Sequence, residues 1–250
     1  MAEQWEFRVW RGDSDGGDFV TYPVEVDPGM VVLDVLHRIQ AQDAGDLAIR
    51  WNCKAGKCGS CSMEINGRPR LSCMTRMNSL PTGEPVTVQP LKTFPVIKDL
   101  VTDVAWNYVQ NTRIQPYSPG PAGADGTRRM HQQDVERVQE FRKCIECYLC
   151  QDVCHVLRDR EGRDKFVGPR FLLRTAALEM HPLDRADRLP ALKEELGCGM
   201  CNITKCCTEV CPEHIKITDN AIIPLKERIV DRYHDPLRML WRKLRGQPPE

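Results

Sequence analysis

The sequence has no excess of charge of either sign. Its 35 Lys and Arg residues balance its 35 Asp and Glu residues, so the formal net charge is zero. Proteins that bind nucleic acid usually carry a basic surplus that attracts the phosphate backbone. The composition therefore predicts no nucleic-acid partner.

Long apolar runs are also missing. The first residues, Met1 to Arg8, lack the apolar stretch of a secretory signal peptide. No run reaches the roughly 20 residues that a membrane-spanning helix needs. The sequence contains no G-x-G-x-x-G dinucleotide fingerprint. We expect a chain that faces the cytosol or another reducing compartment and binds no dinucleotide itself.

Cysteine, in contrast, is abundant. The chain has 13 cysteines, which is an odd number, and they fall into three groups. A disulfide framework is usually found in a short secreted chain with an even number of cysteines. We therefore predict that these thiols bind metal in a reducing compartment.

The N-terminal half shows strand patterns with one helical pattern. Asn66-Gly67 is a strong signal for a tight hairpin turn. Alternating apolar residues predict strands, and apolar residues at helical spacing predict one helix. The predicted strands cover residues 5–10, 19–26, 47–51, 63–65 and 86–88, and the predicted helix covers 32–40. This order favours a small mixed sheet with one helix packed across it.

The C-terminal half shows almost only helical patterns. Residues 116–129 are rich in Pro and Gly and predict a linker or an ordered surface loop. Helices are predicted over residues 96–108, 134–143, 171–180, 189–196 and 221–233. We expect an N-terminal domain over 1–109, a linker over 110–130 and a helical domain over 131–250.

The first cysteine group is Cys53, Cys58, Cys61 and Cys73. Its spacing, C-x4-C-x2-C with a distant fourth cysteine, is that of plant-type [2Fe–2S] sites. Glycines within the loop allow the backbone to wrap closely and to aim N–H groups at sulfur. Structural zinc usually takes two C-x2-C knuckles, and this group has one. The spacing predicts a [2Fe–2S] cluster, with zinc or unligated thiols as the alternatives.

The other two groups together predict two further clusters. In the run C-x2-C-x2-C-x3-C-P, three cysteines hold one cluster and the fourth reaches the other. Cys201 and Cys207 are six positions apart instead of three, so the second set lacks its middle ligand and leaves one corner of a cubane without a thiolate. The predicted ligands are Cys144, Cys147, Cys150 and Cys211 for a [4Fe–4S] cluster, and Cys154, Cys201 and Cys207 for a [3Fe–4S] cluster.

Two cysteines, Cys198 and Cys206, remain outside these sets. Free cysteines are commonly buried as small apolar residues, which is the interpretation we favour for both. The alternative is that one of them is a fourth ligand, which would convert the [3Fe–4S] site to [4Fe–4S].

The three motifs resemble those of the iron–sulfur subunit of succinate dehydrogenase and fumarate reductase. The resemblance covers nearly the whole chain and includes the segment Lys165-Phe-Val-Gly-Pro169 after the helical cysteine run. It implies an α+β fold: an N-terminal β-grasp domain of the plant-type ferredoxin kind and a C-terminal all-helical domain like bacterial ferredoxin.

The resemblance also implies a function. Electrons would pass from a flavoprotein subunit with FAD, which oxidises succinate to fumarate, through the three clusters to a quinone at a membrane anchor. The chain itself would carry electrons and would not bind succinate. It would lie at the cytoplasmic face of the cell membrane as a peripheral subunit held by anchor subunits.

Two departures from the family concern the quinone. Family members usually have Pro after the cysteine that matches Cys154, and here it is His155. Many members that use ubiquinone have a Trp shortly afterwards, and residues 155–164 contain none. A menaquinone-type or relocated site near the [3Fe–4S] cluster is favoured. His155 is either a quinone or proton-relay residue or a structural histidine beside the cluster.

The C-terminal segment 237–245 mixes apolar residues with four cations and no acid. Such a basic amphipathic segment can lie on a membrane surface or on a partner helix, and a solvated tail is the alternative. We favour contact with the anchor subunit or with lipid headgroups.

Other functions remain open from sequence alone. The first is a fumarate reductase that runs in the opposite direction, including a thiol-dependent one. The second is a soluble polyferredoxin-type carrier.

Overall fold

A computed structural model describes residues 3–245, apart from the side chains of residues 160, 161, 237, 238, 242 and 243. Residues 1–2 and 246–250, the ends of the two predicted domains, lie outside the described residues. The N-terminal half forms one sheet of seven strands with one helix, α1 (Val32–Gln42). The strands are β1 (Glu3–Asp13), β2 (Gly16–Val26), β3 (Ser62–Ile65), β4 (Arg68–Leu71), β5 (Val86–Gln89), β6 (Val96–Lys98) and β7 (Val101–Thr102).

Strand β1 is the centre of the sheet. It pairs with antiparallel β2 on one edge and with parallel β5 on the other, and β5 continues to β3 and β4. From Trp5 to Val9 every second residue of β1 is buried, and Phe7 and Val9 pack with Leu36 and Ile39 of α1. The predicted mixed sheet with one helix across it is confirmed.

Two predicted elements in this half were wrong. Residues 47–51 form no strand, because the Ala48 N–H donates to Asp99 Oδ2 at 2.9 Å and the Ala48 carbonyl accepts from Leu100 N. Residues 96–102 form β6 and β7 instead of a helix, and Asp99 turns the chain between them with a positive φ of 48°. The helix that was predicted over 96–108 begins only at α2 (Ala105–Thr112).

The C-terminal half is helical, as predicted. After α2, its helices are α3 (Gln132–Gln139), α4 (Leu149–Asp152), α5 (His155–Arg158), α6 (Arg160–Lys165), α7 (Pro169–Glu179), α8 (Leu189–Glu194), α9 (Cys206–Glu209), α10 (Ile223–Tyr233) and α11 (Pro236–Leu244). One π-helical segment, Ile217–Ile222, runs directly into α10, so the helix predicted from residue 221 begins earlier. Pro224 lies in the first turn of α10, directly after the π-helical segment.

The segment between the two halves is an ordered loop. Arg188, whose side chain is 1% exposed, donates to the carbonyls of Gln115 and Pro116 at 2.9 and 2.7 Å and pairs with Asp184. Asp184 in turn accepts from the Ser118 N–H. These hydrogen bonds hold the backbone of residues 115–118 in place, although this part of the loop has no apolar periodicity. The domain boundaries 1–109, 110–130 and 131–250 stay a prediction.

Among the described residues, none of the helices is both long enough and apolar enough to cross a bilayer.

Candidate metal centres

In the first cysteine group, Cys53, Cys58 and Cys61 lie in the loop between α1 and β3, and Cys73 follows the edge strand β4. Cys61 and Cys73 are buried, whereas Cys53 is exposed. The N–H groups of Ala55 and Lys57 both donate to Cys53 Sγ at 3.3 Å. Such bonds stabilise a thiolate ligand, so the loop has the geometry that the glycine-containing motif predicts.

The acidities of the first group differ from one thiol to the next. Burial opposes ionisation of Cys58, but hydrogen bonds from Ser60 and from the Cys53 backbone outweigh it and lower the pKa of Cys58 to about 6. Burial, together with the neighbouring Cys61, raises the pKa of Cys73 to about 12. Deprotonation of the full set therefore needs the positive charge of bound iron.

The loop of the first group touches the loop of the second. Ser62 Oγ lies 2.9 Å from the Cys147 carbonyl and 2.8 Å from the Gly59 carbonyl. A Cβ atom on Gly59 would lie 2.7 Å from Cys147 Cα, and Gly59 has φ +69°. Only glycine fits here without displacing the second loop, so this residue permits the close approach.

The second group lines one cavity of the helical domain. Its wall consists of Cys144, Ile145, Cys147, Tyr148, Cys150, Arg170, Leu173, Cys211, Pro212, Glu213, Ile215 and Ile217. Burial raises the pKa of Cys147 to about 12 and that of Cys150 well above its usual value. The structure thus brings together all four thiols predicted for the [4Fe–4S] cluster, in a largely apolar surrounding that favours iron-bound thiolates over free ones.

The third group lines a neighbouring cavity. Its wall includes the three predicted ligands and ten further residues: Cys154, His155, Val156, Phe166, Pro169, Cys201, Asn202, Thr204, Lys205, Cys206, Cys207, Thr218 and Ile222. Cys207 Sγ lies 3.4 Å from Thr218 Oγ1, a hydroxyl that can donate to a sulfur ligand. Short helices connect the second and third cavities, because α4 contains Cys150 and ends just before Cys154, and α9 contains Cys207 and ends just before Cys211.

The two cysteines left outside the sets differ in position. Cys198 is fully buried in the helical core, and burial raises its pKa to about 12. Cys206 lines the third cavity and also an adjacent groove. Its Sγ lies 3.3 Å from Thr204 Oγ1. Burial as a small apolar residue was the favoured prediction for Cys206, but the structure leaves this cysteine half-buried at the third cavity.

His155 forms a pair with Asn202 at the rim of the third cavity. His155 Nε2 lies 2.7 Å from Asn202 Nδ2 and 2.9 Å from Asn202 Oδ1. Both residues directly follow predicted ligands, Cys154 and Cys201. Sequence reasoning singled out His155 but missed Asn202, although its place beside Cys201 was a usable signal.

A buried group of charges joins the two halves of the chain. Glu64 of β3 is fully buried and pairs with Lys92 at 3.1 Å and with Arg158 at 2.8 Å. Arg158 also lies 3.6 Å from Asp152 of α4. Burial raises the pKa of Asp152 to about 7, which the Thr93 N–H opposes and nearby Glu64 reinforces. Nothing in the local sequence pattern signalled this network.

Zinc was the alternative for the first group. A zinc ion needs ligands within about 2.3 Å of one point. In residues 3–245, no three Cys, His, Asp or Glu side chains are arranged to hold a single metal ion.

Comparison with known proteins matches both halves to iron–sulfur domains. Residues 6–108 match a 2Fe-2S iron-sulfur cluster binding domain, and residues 140–215 match a 4Fe-4S dicluster domain. The succinate dehydrogenase iron-sulfur subunit of Paracoccus denitrificans is 32% identical over 236 residues, which are 90% of this chain and 88% of that protein. The chain belongs to the family of iron–sulfur subunits of succinate dehydrogenase and fumarate reductase.

Two further relatives agree. The fumarate reductase iron-sulfur subunit of Mycobacterium tuberculosis (strain CDC 1551 / Oshkosh) is 32% identical over 202 residues, covering 79% of this chain and 80% of that one. Among solved structures, a chain of the Mycobacterium smegmatis Sdh1 complex in the apo form is 60% identical, with a TM-score of 0.92, covering 95% of this chain and 100% of that chain.

Family membership confirms several predictions. The α+β fold, the [2Fe–2S], [4Fe–4S] and [3Fe–4S] cofactors, and the role of an electron-transfer subunit of a succinate:quinone oxidoreductase are confirmed at the family level. Flavoprotein and anchor partners and a peripheral place at the membrane agree with the same relatives. The individual ligands, the quinone and the membrane face stay predictions.

Proposed function

We propose that eleven cysteines of this chain hold its three clusters in the sets predicted from spacing. The thiols of the second and third sets each line a single cavity, and the first set surrounds one loop at the sheet edge. When bound, the clusters accept and release single electrons. The sets are Cys53, Cys58, Cys61 and Cys73; Cys144, Cys147, Cys150 and Cys211; and Cys154, Cys201 and Cys207.

The observation that carries this proposal is the order of the three sites in space. Ser62 and Gly59 place the first loop against the second at Cys147. Helices α4 and α9 then carry ligands of both the second and the third set. Electron transfer between centres needs short separations, and these contacts keep successive sites adjacent without any intervening domain.

We further propose that the electrons leave through the third site to a menaquinone-type quinone. The rim of this cavity offers His155 and Asn202 as polar groups, and Met200 and Ile203 are 37% and 39% exposed beside it. The cavity wall also has apolar side chains, among them Val156 and Phe166, and apolar groups beside one polar pair suit a quinone, which has an apolar ring and two carbonyl acceptors. His155 stands where family members usually have Pro, and residues 155–164 lack the Trp of many members that use ubiquinone.

We also propose that the subunit lies at the cytoplasmic face of the cell membrane. The flavoprotein subunit would supply electrons to the first site, where Cys53 is exposed. Anchor subunits would hold the chain and present the quinone to the third site. This arrangement assigns the two ends of the electron path to different partners.

Electron paramagnetic resonance of the purified, air-oxidised complex tests the ligand sets. We expect a signal of an oxidised [3Fe–4S] cluster that disappears on mild reduction while a [2Fe–2S] signal grows. The absence of the oxidised signal, together with two [4Fe–4S] signals at low potential, would contradict the three-thiol assignment and would point to Cys206 as a ligand. Parallel assays with menaquinone and ubiquinone analogues test the quinone class.

A further inference from the structure

A buried arginine belongs to the wall of the second cavity. The side chain of Arg170 is 8% exposed, and it lines the cavity together with Cys144, Cys147, Cys150 and Cys211. Buried arginines are rare unless they are paired, and neither spacing nor composition predicts one here. Arg170 thus places a positive charge beside the four thiols that are the proposed ligands of an anionic centre.

The backbone fixes Arg170 with respect to the ligand loop. The residue lies in the first turn of α7, directly after Gly168 and Pro169. Its N–H donates to Gln151 Oε1 at 3.1 Å, and Gln151 directly follows the ligand Cys150 in α4. This bond ties the first turn of α7, and with it the Cα of Arg170, to the cysteine run.

The polar atoms of Arg170 are only partly satisfied by protein. Nη2 donates to Glu146 Oε1. In residues 3–245, the buried Nε atom has no hydrogen-bond partner. A buried N–H without an acceptor is destabilising, because it has lost its hydrogen bond to water. Iron–sulfur centres offer acceptors at their thiolates and sulfides, and this donor lies on the wall that would surround them.

The charge of Arg170 is not cancelled inside the cavity. Its carboxylate partner, Glu146, has a side chain that is 55% exposed, so water screens it on one side. A guanidinium stays protonated at any working pH, so its positive charge is a permanent part of the second site.

We propose that Arg170 sets the reduction potential of the second centre, by donating a hydrogen bond from Nε to one of its sulfur atoms and by placing a positive charge beside it. Reduction adds one negative charge to the centre, and a nearby cation and N–H donor stabilise the more negative form. The inference rests on the proposed ligand set Cys144, Cys147, Cys150 and Cys211. Arg170 is a positioning and tuning residue, not a ligand.

The test is a redox titration of the second centre in the purified complex, followed by electron paramagnetic resonance. Arg170→Met keeps the long apolar stem but removes the charge and the donor. At a fixed ambient potential we expect the reduced-to-oxidised ratio of the second centre to fall at least tenfold, which is a downward shift of 59 mV for a one-electron couple. The first and third centres should titrate as in the wild type.

Three further variants separate tuning from structure. Arg174→Met removes an exposed arginine one turn later on α7 and should leave the second centre unchanged. Arg170→Lys keeps the positive charge but removes the planar set of guanidinium donors. The reduction potential of the second centre in this variant should therefore lie between those in the wild type and in Arg170→Met. Glu146→Gln removes the compensating carboxylate and should raise the potential.

The outcomes are distinguishable. An unchanged potential in Arg170→Met with full iron and sulfide content would overturn the inference. If Arg170→Met loses the second centre, the other two variants provide the test. A lower reduction potential in Arg170→Lys and a higher one in Glu146→Gln would support the inference. An unchanged potential in both variants would overturn it. A wild-type complex without a [4Fe–4S] signal would instead contradict the proposed ligand set.

Discussion

The Ser62 hydroxyl lies 2.9 Å from the Cys147 carbonyl. Ser62 directly follows Cys61 of the first centre, and Cys147 is a proposed ligand of the second, so this contact joins the two ligand loops. Lys57 strengthens the same junction through its ion pair with Glu213 at 3.1 Å. The contact crosses from the sheet half to the helical half of the chain. Because this contact joins the ligand loops of the first and second centres, a change in how the two halves pack also changes the distance between the two centres.

Gly59→Ala is expected to separate the two loops. Gly59 has φ +69°, and its Cβ would lie 2.7 Å from Cys147 Cα. The left-handed backbone alone costs about 1–2 kcal/mol for alanine, and the overlap adds about 1–3 kcal/mol. The midpoint of denaturant unfolding should fall accordingly, and the magnetic interaction between the reduced first and second centres should weaken.

Gly67→Ala is the matched control. Gly67 has φ +72° in the β3–β4 turn, and no atom lies within 4 Å of its Cβ position. In Gly67→Ala, the stability should fall only by the cost of the left-handed backbone, and the magnetic interaction between the first and second centres should stay as in the wild type. Equal effects of the two substitutions on both measurements would mean that Gly59 does not govern the docking of the loops.

Cys206→Ala is expected to leave the third centre intact. Cys206 lines the third cavity, but its Sγ already has a partner in Thr204, and three other thiols form the proposed ligand set. The oxidised [3Fe–4S] signal should keep its shape and intensity, whereas Cys201→Ala should abolish it. A wild-type protein that lacks the oxidised [3Fe–4S] signal and a Cys206→Ala variant that gains it would make Cys206 the fourth ligand of a [4Fe–4S] centre.

His155→Phe is expected to slow quinone reduction without loss of iron. The substitution removes the ring nitrogen that pairs with Asn202 while keeping a planar ring beside Cys154. Steady-state rates with a menaquinone analogue, and the intensity of the third centre's signal, are the measurements. His131→Phe, at an exposed position before α3, is the control. An unchanged rate of quinone reduction with intact centres would show that His155 is neither a quinone-binding nor a proton-relay residue.

Glu64→Ala is expected to weaken the docking of the two halves. Fully removing one partner of a buried ion pair typically costs about 3–5 kcal/mol. Here Lys92 and Arg158 are 52% and 37% exposed and can turn to water, so we expect about 2–3 kcal/mol. Denaturant unfolding followed by the absorbance of the first centre measures the loss.

The control for this change is Asp46→Ala. Asp46 pairs with Arg11 at 2.6 Å, but its side chain is 66% exposed, so its removal should change the free energy of unfolding little. A cost for Glu64→Ala no larger than that of Asp46→Ala would show that the buried charges do not contribute to docking.

The cysteine spacing could be read from sequence because ligands of one cluster lie in short local runs. Strand β1 and the β3–β4 hairpin could be read for the same reason, since alternation and the Asn66-Gly67 turn are local signals. Asn66 and Gly67 both have positive φ, at 48° and 72°, as a tight hairpin turn requires.

The elements that sequence missed depend on distant partners. Val96, Leu100 and Val104 have helical spacing, yet the chain forms β6 because the end of β1 offers an edge at Asp13. Asp99, which is 2% exposed, accepts from Arg11 Nε, Gly12 N and Ala48 N. One carboxylate thereby organises three segments, and no local window contains all of them. Arg170 and Glu64 were missed for the same reason, because their burial depends on the fold.

Leu244→Glu is expected to reduce retention of the chain at the membrane. In α11, Leu240, Trp241 and Leu244 are 56%, 52% and 77% exposed, and helical geometry places them on one side. The segment 237–245 has four cations and no acid, which suits an anionic lipid or anchor surface. A carboxylate on the apolar side would be both desolvated and repelled there.

Met239→Glu is the control within the same helix. Met239 is 54% exposed, and at 100° per residue it lies about 140° around the helix from Leu244. Both substitutions add the same charge to the same element, so they differ only in the side that carries it. The fraction of the chain that remains in washed membranes should fall for Leu244→Glu and should stay at the wild-type level for Met239→Glu. Equal retention in both variants would mean that the apolar side of α11 makes no membrane or anchor contact.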